Sequence, residues 1–195
     1  MSFMANKFEF KPDKPHSGFL NKLHLTQTQR RALLKWFLYS LVLLVIALLQ
    51  DVILSRIRFM GATTDLVPCA IILICMIEGT ESGSIFTLIA SLFYLFSGTA
   101  PGNYAMVLLT ALAILLCVFR QAYLQQGFGA ALLCTGAALL LYELAVFAIG
   151  LFLELTTPAR MTGFLVTVGL SFLAVPVLYP IFLAIQSIGG KTWKD

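Results

Sequence analysis

From Trp36 onward the chain is a succession of apolar runs, each interrupted by a short group of Gly, Pro or charged residues, and this rhythm predicts a set of packed helices. The first run, about Trp36 to Ile53, is almost continuous Leu, Val, Ile and Ala and is closed by Gln50 and Asp51. Thr26 followed by Gln29 fits a capping box, so the helix is expected to start in water and carry Arg30, Arg31 and Lys35 up to an interface marked by Trp36 and Tyr39. Between Asp51 and Asp65, Arg56 and Arg58 alternate with Ile57 and Phe59, a period of two that predicts a short extended or interface-hugging segment. A second run covers about Leu66 to Ile77, with Pro68 tolerated in its first turn, and a third about Ser84 to Phe96. Both fall short of the roughly twenty helical residues a bilayer core needs. They approach that length if Thr63 to Glu78 and Gly79 to Gly98 are counted whole, with the carboxylates snorkelling to the interface. Gly98, Pro101 and Gly102 break the chain before a fourth run, about Tyr104 to Phe119. A fifth run, about Phe128 to Leu153, is rich in Ala and Gly. A sixth, about Met161 to Ile188, has Pro176 and Pro180 one turn apart and is expected to kink.

Composition turns this pattern into a membrane assignment. The apolar fraction is 59% and the charged fraction 11%, against about 45–50% and about 25% for soluble domains. The mean hydropathy is +0.93. The expected architecture is an all-α membrane protein with six transmembrane helices in one domain, residues 26–190, between a flexible basic tail at 1–25 and a short tail at 191–195. The first tail does not read as a cleavable signal peptide, because about thirty polar-rich residues precede the apolar run. Its Phe3, Phe8 and Phe10, interleaved with lysines, suit either a solvated tail or contact with an anionic leaflet. Charge distribution then orients the chain. With six spans, ten of the thirteen basic residues fall on one side and only Arg56, Arg58 and Arg160 on the other, so both termini are expected in the cytoplasm.

The least generic stretch is Glu78 to Gly102. There Gly79, Gly83, Thr87 and Ser91 recur every fourth position and form one slowly drifting stripe on a helix. Lipid tails are as apolar as Leu, so helices in a membrane attract one another through such close-approach stripes. The stripe, with Gly98 and Gly102, is the candidate surface for helix packing or partner binding. Asp65, Glu78 and Glu81 read as solvated loop carboxylates, the last two at the cytoplasmic end of a hairpin. Glu143 lies in the middle of the fifth run, where a charge costs several kcal/mol unless neutral, paired or wet. Two readings stand for it: a functional group, or a protonated carboxyl hydrogen-bonded to a neighbouring helix.

The remaining inventory predicts no catalytic residue, cofactor or metal site. Cys69, Cys75, Cys117 and Cys134 sit in apolar runs without zinc-site spacing and read as packing residues. His16 and His24 lie in the tail, leaving no intramembrane base to activate a Ser or Thr. No Gly-rich phosphate loop is followed by Lys. Membrane lipids are the expected surroundings, and no nucleic-acid partner is expected.

The order of these motifs resembles the rod shape-determining MreD family of the bacterial inner membrane. The resemblance covers about Trp36 to Ile188. It rests on LLQDVIL closing the first run, then Gly61, then Thr64-Asp65-Leu66 where the family reads Pro-Asp-Leu, then Glu78-Gly79, Gly83, Ser97-Gly98, Gly102 and Ala105. Where the family often has Asp three residues before Ser-Gly, this chain has Tyr94, and its basic tail is longer than usual. Glu143 falls near a position that is often polar or acidic in the family. The resemblance implies a non-enzymatic scaffold subunit of the cell-elongation machinery that binds the bitopic protein MreC and other elongation-complex membrane proteins. Such chains look similar in fold to the substrate-binding subunits of energy-coupling-factor vitamin transporters, which gives the alternative expectation of a solute-binding membrane subunit.

Overall fold

The structure, a computed structural model, describes residues 27–56, 62–123 and 127–188. The Thr26 cap, both tails, and the Ile57–Gly61 part of the expected extended segment lie outside the described residues. Among those described the chain is helical throughout, without a β-strand. Helix α1 (Gln27–Leu49) passes into one turn of π-helix, Gln50–Leu54, closed by Ser55 N–H donating to Gln50 O at 2.8 Å. Then come α2 (Leu66–Glu78), α3 (Thr80–Phe96), α4 (Tyr104–Tyr123) and α5 (Phe128–Phe152). A short 3-10 turn, Pro158–Arg160, leads into α6 (Met161–Leu173) and α7 (Val175–Ile188).

Two stretches are long and apolar enough to cross a membrane by length and composition, residues 29–54 and Phe128–Phe152. The α6–α7 pair, bent by 40° at its break, counts as a third if taken as one span. The sixth run thus divides at Ala174, where Pro176 enters the first turn of α7 and Pro180 removes a further backbone donor. Helices α2 and α3 are 13 and 17 residues long, about 20 and 26 Å at 1.5 Å per residue.

The short α2 is the pole of the bundle. From Val67 to Glu78 every residue is buried, with α1, α3, α4, α5 and α7 packed around it. A helix that is apolar on all sides survives only where all sides are covered. The other helices turn one face to α2 and the opposite face outward. In α3, Gly83, Phe86, Thr87, Ala90, Ser91 and Tyr94 face in, whereas Ile85, Leu88, Ile89, Phe93 and Phe96 are exposed. In lipid such burial gains little transfer free energy, so close van der Waals contact and interhelical hydrogen bonds hold the bundle together.

Candidate functional site

A buried helix has unpaired backbone groups at both ends. At the amino end of α2, Gln50 supplies the missing partner. Its Oε1 accepts from Leu66 N–H at 2.8 Å and from Val67 N–H at 3.0 Å, and its Nε2 donates to Asp65 Oδ1 at 2.8 Å. The π turn is what rolls Gln50 inward, leaving its neighbour Asp51 exposed. Tyr94, from the far end of α3, donates its hydroxyl to Asp65 Oδ2 at 2.9 Å. Asp65 N–H donates to Ser171 Oγ on α6 at 2.9 Å. One residue thereby ties the π turn, α2, α3 and α6 together. The hydrogen bonds from Tyr94 and Gln50 satisfy both oxygens of the Asp65 carboxyl and favour its ionised form.

The carboxyl end of α2 is held by an ion pair. Lys35 Nζ lies 2.5 Å from Glu78 Oε2, with the two side chains 5% and 0% exposed. Tyr39 donates its hydroxyl to Glu78 Oε1 at 2.7 Å, and the Tyr39 hydroxyl oxygen also lies 3.2 Å from the Phe182 carbonyl oxygen. Gln186 Nε2 donates to Ile77 O at 2.8 Å. Aromatic rings wall the pair off: Trp36 stacks on Phe86 at 5.4 Å, and Lys35 Nζ sits 4.8 Å from the Trp36 ring centre. Tyr39 is in contact with Phe182 at 6.0 Å.

These contacts correct several expectations. Glu78 and Asp65 are not solvated loop carboxylates but the polar anchors of α2, because each finds an inward partner on α1. Only Glu81 is exposed, in the first turn of α3. Tyr39, expected to mark the interface, is fully buried with its hydroxyl on Glu78. Gly98 takes φ +77° with open space around its α-carbon, so it serves the turn and not helix packing. Gly102 is approached most closely by the Tyr104 ring two residues on, which is a local contact.

The small-residue stripe faces the protein's own helices. Gly79, at φ 87°, is the single residue joining α2 to α3, a backbone state open to glycine. A Cβ at Gly83 would stand 2.8 Å from the Cys75 carbonyl oxygen on α2. Thr87 donates to Gly83 O at 2.8 Å, and Ser91 Oγ lies 2.7 Å from Thr110 Oγ1 on α4. Cys75 and Cys117 meet across α2 and α4 with sulfurs 2.7 Å apart, and all four cysteines are buried thiols outside any disulfide. One packing glycine escaped the sequence reading: a Cβ at Gly136 in α5 would stand 2.5 Å from the Phe172 ring.

Glu143 is buried, as is its neighbour Tyr142. Neither the Tyr142 hydroxyl nor Glu143 Oε1 has a hydrogen-bond partner. Both residues interact electrostatically with Asp65, and Tyr94 interacts with all three. The structure therefore joins Asp65, assigned from sequence to a loop, with Glu143, assigned to a lone helical position. Nothing in the sequence spacing, 78 positions apart, signals that meeting.

Compared with known proteins, the chain matches no family model, no characterised sequence and no solved structure.

Proposed function

We propose that this chain is a non-enzymatic integral membrane scaffold of the bacterial cell-elongation machinery, of the MreD type. In this reading it crosses the inner membrane six times with both termini in the cytoplasm, binds MreC, and helps couple the cytoskeleton to peptidoglycan synthesis. The observation that carries the reading is the use made of the residues behind the family resemblance. Asp65, Glu78, Gly79, Gly83 and Gly98 all serve the frame: two anchor α2, two form turns, and one sets the α2–α3 distance. Such residues fix a rigid body whose apolar exterior is left for lipid and for a membrane-spanning partner. Exposed Leu33, Phe37, Leu41, Leu44 and Leu48 provide that exterior along α1.

Affinity isolation of the tagged full chain in mild detergent tests the proposal. Co-isolation of a single-span protein with a periplasmic domain is the expected result. Recovery of an ATPase with a coupling membrane subunit would instead establish the solute-binding reading, which the unpartnered Tyr142 hydroxyl and Glu143 oxygen favour.

A further inference from the structure

Buried polar atoms in native proteins are nearly always partnered, and a carboxylate inside a helical bundle is costly when it is not. In this bundle two such atoms lie side by side in sequence, the Tyr142 hydroxyl and Glu143 Oε1, on residues 0% and 8% exposed. They sit deep: α5 continues nine residues past Glu143 to Phe152, about 14 Å at 1.5 Å per residue. Both face Asp65 electrostatically, and Asp65 in turn holds Tyr94, Gln50 and Ser171. Asp65 and Glu143 bring two carboxyls to this point, with the hydroxyls of Tyr94 and Tyr142 beside them. Among the described residues the one buried basic side chain, Lys35, is committed to Glu78 at the opposite end of α2, and Arg56 and Arg160 are exposed.

We infer that Glu143, Tyr142, Asp65 and Tyr94 form a binding site for a monovalent cation, enclosed by α5, α3 and the amino end of α2. The charge of the ligand follows from which oxygens are free. Both Asp65 oxygens already accept hydrogen bonds, from Gln50 and Tyr94. That leaves Glu143 Oε1 as the buried carboxylate oxygen without a hydrogen bond, and a cation placed against it would also be drawn to the hydrogen-bonded Asp65 carboxylate. A divalent ion such as calcium takes about six to eight oxygen ligands, more than the unpartnered oxygens of this cluster supply. The ligand is either a bare alkali cation held by oxygens or the protonated amine of a small solute, whose N–H groups would fill the same acceptors and whose charge would lie against the tyrosine rings. This assignment stands on the unpartnered atoms and does not depend on the scaffold reading.

The test is thermal unfolding of the purified full chain in detergent at fixed pH and ionic strength. Sodium, potassium, methylammonium and calcium chlorides are compared with N-methylglucamine chloride, whose cation is too bulky for a buried site. A rise in Tm of about 3 °C or more is expected in one of the monovalent salts, as follows for a ligand at several times its Kd. Sodium or potassium alone would identify an inorganic ion, and methylammonium alone an amine. Glu143→Gln keeps the side-chain shape and should abolish the increment, and Tyr142→Phe should shift its half-saturation to higher concentration. Equal Tm in every salt, a response to calcium alone, or an undiminished increment in Glu143→Gln would overturn the inference. The wild-type series decides it even if a variant does not fold.

Discussion

The chemistry of single residues in this molecule depends on partners far along the chain. Glu78 is buried, and its carboxylate is held by Lys35 and Tyr39, 43 and 39 positions earlier. Removing one member of a buried ion pair leaves the other uncompensated, which costs about 3–5 kcal/mol, whereas removing both can be close to neutral. Lys35→Met and Glu78→Met should therefore each destabilise strongly. The double variant should be more stable than the sum of the two by about 2 kcal/mol or more, read from unfolding in a denaturing detergent series. Additive losses would mean that the pair carries no coupling.

At the scale of elements, the contrast between two glycines separates packing from turn geometry. Gly83 has no room for a methyl group, since the obstacle is the Cys75 backbone and not a movable side chain. Gly83→Ala should push α3 off α2 and cost about 1–3 kcal/mol, with Gly83→Leu worse. Gly98→Ala meets no obstacle and carries only the strain of φ +77°, about 1–2 kcal/mol. Thermal unfolding of Gly83→Ala should further show a broadened transition, because the α2–α3 seam also aligns the Ser91–Thr110 contact. Equal behaviour of the two variants would argue against the seam. Helix ends were legible from sequence because breakers announce them: Gly98, Pro101 and Gly102 before α4, and Pro176 near the α6–α7 break. The inward set of α3 was legible too, as a stripe of small residues. The role of α2 was not. Its thirteen residues are apolar on all faces, and in a membrane protein a core-facing and a lipid-facing Leu or Ile read alike. Nor could its end carboxylates be told from solvated ones, because a charge at a helix end is ordinary until a cross-chain partner is placed beside it.

At the scale of the whole molecule, the account is of a buried pole fastened at each end by a polar cluster, with longer helices ranged around it. Lys35 and Gln50 lie fifteen positions apart on α1 and its π turn, and Glu78 and Asp65 thirteen apart on and before α2, about 22 and 20 Å as helical rise. The two antiparallel elements are thus cross-tied at matching heights. This arrangement gives a short helix a place in the bundle: α2 is packed by α1 and α5, which are long enough to cross a membrane, and α3 packs on α2 and α4. The proposed six-span topology makes a definite demand on this arrangement: the α2–α3 turn and the α3–α4 turn must open on opposite faces of the membrane. Single cysteines placed at exposed Glu81 and Asn103 in a cysteine-free chain, probed in intact cells with a membrane-impermeant maleimide, measure this directly. The account predicts that Asn103→Cys labels from outside and Glu81→Cys labels only after the membrane is opened. Labelling of both positions from outside, or protection of Glu81→Cys on both sides, would show that α2 and α3 dip into the membrane without crossing it and would contradict the account.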